Sequence, residues 1–314
     1  MKRFRRFNFA VGLFLVHACA ALTWTAGCSK EPEESGLTAG ERDIQEPVAM
    51  AEAMEEAGEE PAKMNRERTL APTNAPITPE QYLIELQTRA KGGDSEALFK
   101  LGQYAYAGNL SERNFTVAAD YFRRASEAGH TDAMTSLGTM YGEGKGVRRS
   151  MIEAGRWFKR AAERDNPLGQ VSLAQMYLRG LGNGRPDYAR ALHWHQRAAQ
   201  LGDAMGQAGL ASQHLLGQGT RKDLVRAAEW YREAADQGLA SAQVNLGTLY
   251  RTGSGVARDE VEACMWFSLA ARQNDPTGRK ARDAFLRKFD EAQIADLDNR
   301  LKAMEPSEPA SAQQ

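Results

Sequence analysis

His193-Trp194-His195 places two imidazoles close together, and neutral imidazole is the commonest metal ligand. On a helix, residues two apart point in different directions, so these two rings do not share one ion; they read as surface histidines. Glu143-Gly144-Lys145-Gly146 looks faintly like a phosphate loop. It lacks the G-x-x-x-x-G-K-S/T spacing and no strand pattern precedes it, so it reads as a turn. Cys19 and Cys28 fall in the N-terminal segment, which leaves Cys264 as a buried small hydrophobe or a free thiol, not half of an intramolecular bridge. No Ser/His/Asp grouping and no paired carboxylates rise above background. The expectation is no catalytic residue, no metal and no cofactor, and a chain whose elements serve binding.

The chain of 314 residues balances 40 Lys+Arg against 41 Asp+Glu. That balance argues against a nucleic-acid binder working through excess positive charge. At 42% the hydrophobic content supports a packed core, and three cysteines exclude a disulfide-dense framework. Lys2, Arg3, Arg5 and Arg6 precede an apolar stretch from about Phe7 to Ala26, the composition of a secretory signal of bacterial type. Thr25-Ala26-Gly27-Cys28-Ser29 resembles a bacterial lipobox, with Thr25 where Leu is usual. That resemblance makes Cys28 the lipidated mature N-terminus. Ala18-Cys19-Ala20 is an alternative cleavage site releasing a soluble protein, and residues 7–27 are also long enough to stay as an uncleaved anchor. All three readings export the remaining chain: an envelope protein, periplasmic, membrane-tethered by lipid in the first reading. Residues 28–78 read as a disordered acidic tether. Positions 31–78 hold twelve acidic residues against four basic, with five prolines. Such a segment buries too little apolar surface to order itself, and its charge reads as solvation.

Self-comparison organises the rest. A small residue recurs at Gly93, Gly129, Asp165, Gly202, Gly238 and Asn274, spaced by 36 or 37. In the same register stand Leu101, Leu137, Leu173, Leu210 and Leu246. An aromatic column runs through Tyr121, Trp157, Trp194, Trp230 and Trp266. Glycine pairs stand at Gly144/Gly146, Gly180/Gly182, Gly217/Gly219 and Gly253/Gly255, and the first unit keeps only Gly108. Each unit reads as two helices. Ala133, Leu137 and Tyr141, four apart, share one face of the first. The glycines give a tight connection with positive φ. Asn114, Ser150, Asp187, Asp223 and Asp259 are N-cap types that open the second. The aromatic seven residues later and the Ala-Ala pair four beyond it share a face, so the tryptophans read as core rather than as a ligand platform. His214 stands in the Tyr column as a packed substitution.

The string Ala242, Leu246-Gly247, Tyr250, Gly253, Gly255, Trp266, Ala270-Ala271 resembles the Sel-one-like repeat family, relatives of the tetratricopeptide repeats. The resemblance covers residues 93–273, five units, and implies an all-α, right-handed α-solenoid. Some secreted members of that family are cysteine-rich; this chain is not, so their ligand and enzyme associations do not carry over. Thr78-Pro79-Glu80-Gln81 opens a capping helix over 79–92, and Asp290 with Gln293 opens the last of the C-terminal capping helices over 274–304. Ile294, Leu297, Leu301 and Met304 line one face of that helix. Residues 305–314 read as a disordered tail.

A second stripe runs along the first helices at offsets three, seven and ten, and the last offset is polar in every unit. First helices of related solenoids line a partner groove. By resemblance, Gln103, Thr139, Gln175, Ser212, Asn245 and Thr248 are its hydrogen-bonding residues; the alternative is a merely exposed polar face. The functional expectation is a non-enzymatic scaffold or adaptor of the cell envelope that binds a protein partner, not nucleic acid, through its repeat groove. The alternative is a periplasmic binder or hydrolase of cell-wall fragments.

Overall fold

The computed structural model describes residues 78–108, 112–180 and 184–304. The signal, Cys28, the acidic segment and the tail from 305 lie outside the described residues, as does Gly182. The described residues form thirteen helices and no strand. Helix α1 is Pro79–Lys91. Five hairpins follow: α2 (Ser95–Ala107) with α3 (Phe115–Glu127), α4 (Thr131–Glu143) with α5 (Met151–Ala162), and α6 (Pro167–Leu178) with α7 (Tyr188–Gln200). Then come α8 (Ala204–Leu216) with α9 (Leu224–Asp236) and α10 (Ala240–Thr252) with α11 (Glu260–Arg272). Helices α12 (Pro276–Leu286) and α13 (Glu291–Ala303) end the array. From α1 to α12 each helix packs on its chain neighbour, and α13 folds back on α11, giving an all-α solenoid.

The five N-cap residues close each hairpin from both ends of one residue. The side chains of Asn114, Ser150, Asp187, Asp223 and Asp259 accept from the backbone N–H three residues on, at 2.9–3.2 Å. Their own N–H groups donate to the carbonyls of Ala105, Tyr141, Tyr177, His214 and Tyr250 on the first helix. One cap therefore satisfies an orphan donor and locks the hairpin register. The third unit is one residue longer between Tyr177 and Asp187, and among its described residues Gly180 and Gly184 are left-handed (φ 68° and 75°).

The two glycines of a turn do different work. Gly253 is a left-handed C-cap whose N–H donates to Leu249 O. Gly255 has the same φ, but a Cβ there would also overlap the carbonyl of Leu224, in the first turn of the preceding unit's second helix. Gly146 and Gly219 stand likewise against Phe115 and Tyr188.

The buried aromatic column lies one residue beyond the tryptophans. Phe122, Phe158, His195, Tyr231 and Phe267 are all buried, whereas Trp194 and Trp230 are only half-buried; Trp157 and Trp266 are buried as expected. Glycines on the first helices receive these rings: a Cβ on Gly102 or Gly138 would come within 2.6 or 2.7 Å of the Phe122 or Phe158 ring. The expectation for His195 is corrected here. It is 2% exposed, seated over Gly209, because it occupies the position that other units fill with Phe or Tyr. Between units, Gly169, Gly206 and Gly278 face Ala161, Ala198 and Ala270 so closely that no side chain fits between them. His214 is buried, deeper than the half-buried tyrosines Tyr141, Tyr177 and Tyr250 of its column.

At the C-terminal end α11 is buried on nearly every side, Val261, Cys264, Met265 and Phe267 included. Helix α13 covers its outer face with Leu297 and Leu301. Ile294 and Met304, expected on that face, are more than a third exposed. Arg300 anchors α13 through Asp259 (2.7 Å), Glu262 (2.8 Å) and Asp296 (2.8 Å).

Candidate partner-binding face

Successive first helices touch in the pairs α4–α6 and α6–α8, and α10 likewise touches α12. Among the described residues no two second helices of the five hairpins make comparable contact; only the capping helix α13 packs on a second helix, α11. The first helices therefore form the closely spaced side of the stack, and the polar stripe runs along it.

The structure separates the six stripe residues by what their polar atoms already do. Thr139 Oγ1 donates to Thr135 O at 3.0 Å and Thr248 Oγ1 to Val244 O at 2.9 Å, so both hydroxyl protons are used within their own helices. Ser212, half-buried, is near the buried Tyr231, whose phenol is pushed up by burial, with Ser212 offsetting part of the rise. Gln103, Gln175 and Asn245 make no side-chain hydrogen bond in the structure; the first two are half-buried and Asn245 is exposed. Each unpartnered amide presents one carbonyl acceptor and two donors, the complement of a peptide group. The hydroxyls of Thr139 and Thr248 offer only acceptor lone pairs.

Charge on this face is confined to the first two units. Glu96 is held by His130 Nε2 at 3.0 Å and Lys100 at 3.3 Å. The His130 bond is the main cause that lowers its carboxyl below the ordinary range. Asp132 accepts from Asn166 Nδ2 at 2.6 Å. From the third unit on, the stripe members Leu168, Ser172, Gln175, Met205, Gly209, Ser212, Ser241, Asn245 and Thr248 are all uncharged. Such a face suits hydrogen-bonding to an uncharged, extended main chain better than capture of a charged group.

The buried polar groups elsewhere are structural. His195 Nδ1 lies 2.8 Å from Gln213 Oε1, and Gln213 Nε2 donates to Tyr188 O and Gln218 O. Those two donations fix the amide orientation, so the imidazole carries its proton on Nδ1. Burial lowers its pKa. His214 is lowered too, by burial and then by Arg226, and its Nδ1 has no partner. A run of buried glutamines, Gln170, Gln207 and Gln243, sits between units; Gln170 and Gln243 donate to the ends of preceding helices at Ala162 O and Ala235 O. Cys264 is a free, buried thiol pushed up to about 11 by burial. Among the described residues no group of His, Cys, Asp and Glu has the arrangement to hold a metal. His193 and His195 lie on opposite sides of their helix, one exposed and one buried.

What sequence reasoning missed was which side chains are already engaged. Thr and Ser in a helix bond back to a carbonyl three or four residues earlier, a signal available at Thr139 and Thr248.

The model of the Sel1 repeat matches the chain five times, at residues 95–130, 131–166, 167–203, 204–239 and 240–275. Among solved structures, a protective antigen of uropathogenic Escherichia coli strains that displays an SLR fold is 31% identical, with a TM-score of 0.67. The match covers 71% of this chain and 48% of that one, so the present chain spans about half the length of that relative. A Sel1 repeat protein from Oxalobacter formigenes is 26% identical with a TM-score of 0.62, over 73% of this chain and 94% of that one. No curated protein matches the chain. Proteins built from these repeats generally serve as non-catalytic scaffolds for protein–protein interaction.

Proposed function

Because the chain belongs to the Sel1 repeat family, we propose that it is a non-enzymatic scaffold of the bacterial cell envelope whose first-helix stripe holds a protein partner. The observation that carries this reading is the set of three unpartnered amides, Gln103, Gln175 and Asn245, in one row with the engaged hydroxyls of Thr139 and Thr248. An amide side chain bonds a peptide N–H and C=O together, which recognises extended backbone without reading charge. The envelope placement rests on the basic and apolar N-terminal segment and on Cys28 in its lipobox-like setting. Cys28 is the lipidation site in this reading, residues 28–78 the tether, and α1 and α12–α13 the caps of the array. No helix of the described residues is long and apolar enough to cross a membrane.

The test is crosslinking in intact cells, then affinity capture of the full-length chain beside a Gln103→Ala, Gln175→Ala, Asn245→Ala variant. One envelope protein enriched with the wild type and lost with the variant supports the reading. Enrichment that survives the triple substitution removes the stripe from the function.

A further inference from the structure

The turns that join first to second helices line one edge of the array. In three of them the second glycine lies on the first turn of the preceding unit's second helix: Gly146 on Phe115 and Thr116, Gly219 on Tyr188 and Ala189, Gly255 on Leu224 and Val225. The first four second helices open on this edge with Phe115-Thr116, Met151-Ile152, Tyr188-Ala189 and Leu224-Val225. A first helical turn ordinarily favours acidic residues, which complement the helix dipole. Here those positions carry large apolar side chains instead. Ile152 is 70% exposed and Val225 55%; Val117, Tyr188 and, at the end of α8, Leu216 are exposed too. Half of the large hydrophobic side chains exposed among the described residues thus stand on one edge. Scattered single ones would need no explanation; a recurring set does.

The fifth unit shows the same column covered. Val261 is only 8% exposed, because α13 packs Leu297 over it and brings Arg300 to Asp259 and Glu262 on either side. Among the described residues no element does this for Ile152 or Val225.

The same turns carry Arg113, Arg148, Arg149, Arg221 and Lys222, all exposed and none in an ion pair among the described residues. The Cβ atoms of Arg149 and Lys222 lie against the left-handed caps Gly144 and Gly217, where a cation complements the carbonyl end of a helix. Arg148 and Arg221 stand one residue earlier and make no hydrogen bond in the structure, so that role does not account for them. The neighbouring carboxylates are engaged: Asp187, Asp223 and Asp259 cap helices and pair with arginines, Glu143, Glu153 and Glu260 pair with local cations, and Glu112 is engaged as well.

A soluble polyanion pairs with these cations and leaves Ile152 and Val225 in water. An apolar helix covers those two and leaves the cations uncompensated. An anionic bilayer surface takes both, with phosphates at the headgroup level and the acyl boundary just beneath. Aliphatic tips beside Arg and Lys, with a tyrosine among them, are the composition of an interfacial surface. We infer that the turn edge is a contact surface for anionic phospholipid, with Ile152, Tyr188 and Val225 entering the headgroup region and Arg148, Arg221 and Lys222 on phosphates. This inference is independent of the stripe on the first helices.

The test uses the full-length chain with a fluorescent amino acid encoded in place of Val225, and separately in place of Ser241, which is exposed at the opposite end of its hairpin. Vesicles contain brominated phosphatidylcholine, which quenches on contact, with or without phosphatidylglycerol. The readout is where quenching occurs rather than binding itself, so attachment through the N-terminal segment does not imitate it. The inference expects quenching at position 225 and not at 241 in phosphatidylglycerol vesicles. That quenching should fall about tenfold without phosphatidylglycerol, at about 1 M salt, and in an Arg148→Gln, Arg221→Gln, Lys222→Gln variant whose helicity is checked by circular dichroism. Equal quenching at both positions, or quenching at 225 indifferent to lipid charge, salt and the variant, would overturn it. If polyglutamate shifts the emission at 225 and vesicles do not, the edge serves a soluble acidic partner and the inference falls. It falls equally if the emission shifts with protein concentration in the absence of vesicles, which would assign the edge to a second copy.

Discussion

Gly253 and Gly255 are two residues apart and have nearly the same φ, 70° and 73°. From sequence they have the same role. The structure gives them different costs when each is replaced by Ala. At Gly253 a Cβ meets nothing closer than Arg258 Cβ at 3.3 Å, so the penalty is that of a left-handed L-residue, about 1–2 kcal/mol. At Gly255 the same penalty applies, and the Cβ also overlaps the Leu224 carbonyl and approaches Val225 N at 2.9 Å. Both are backbone atoms of a capped helix, so relief requires separating two units, which adds roughly the 1–3 kcal/mol of an overpacked core. Gly253→Ala should therefore cost about 1–2 kcal/mol and Gly255→Ala about 2–5 kcal/mol. Asn tolerates the left-handed region, so Gly253→Asn should recover most of the loss and Gly255→Asn should not. Urea unfolding followed at 222 nm reads the difference as midpoint shifts at constant slope. Equal losses at the two positions, or recovery by Asn at both, would refute the claim that the second glycine is an inter-repeat contact.

Other outcomes follow from the same geometry. His195 and His214 are both held below the ordinary histidine value, chiefly by burial. The unfolded chain takes up protons at about 6.5 while the folded one resists. Their contribution is thus complete above that pH and is lost as pH falls through 6.5 towards the lower folded values. Thermal midpoints measured between neutral pH and about pH 5 should fall less steeply in His195→Phe than in the wild type; parallel curves would contradict this. Arg300→Ala removes the anchor of α13. For a partly exposed network the loss should be about 1 kcal/mol, with hydrogen exchange accelerated in α13 and at the start of α11 but not in α4–α7. Cys264, buried and with its thiol pushed up to about 11, should resist thiol reagents at pH 8 until the array unfolds, as peptide mapping would show; rapid native labelling would place it at an open surface. Phe158→Ala should cost about 3–5 kcal/mol, and Trp194→Ala, which removes a half-buried ring, clearly less; the reverse order would restore the tryptophans as the main core column.

The repeats were readable because each unit repeats its own punctuation. Asn114, Ser150, Asp187, Asp223 and Asp259 name the start of every second helix, and the left-handed residues Gly93, Gly129, Gly202 and Gly238 name its end. Asp165 and Asn274 hold the same conformation without glycine (φ 56° and 64°), and the spacing located them too. Periodicity could not decide between neighbours such as Trp157 and Phe158. A wide apolar arc contains both, and which ring enters the hairpin depends on Gly138, twenty residues away. His195 was misplaced for the same reason: its type suggests a surface, while its column fixes it in the core. The extra residue in the third unit gives its turn a further left-handed glycine, Gly184, that the columns of the other units do not contain. On the polar stripe, residue type identified the row. The structure shows that Thr139 and Thr248 are engaged and that Gln103, Gln175 and Asn245 are not.

The most direct test of the scaffold reading is a photoreactive residue placed at Asn245 on the first-helix stripe, compared in living cells with the same residue at Glu229, exposed on α9. The account predicts that position 245 crosslinks to one defined envelope protein and that position 229 does not. Equal yields from both positions, or a defined partner found only from position 229, would contradict it.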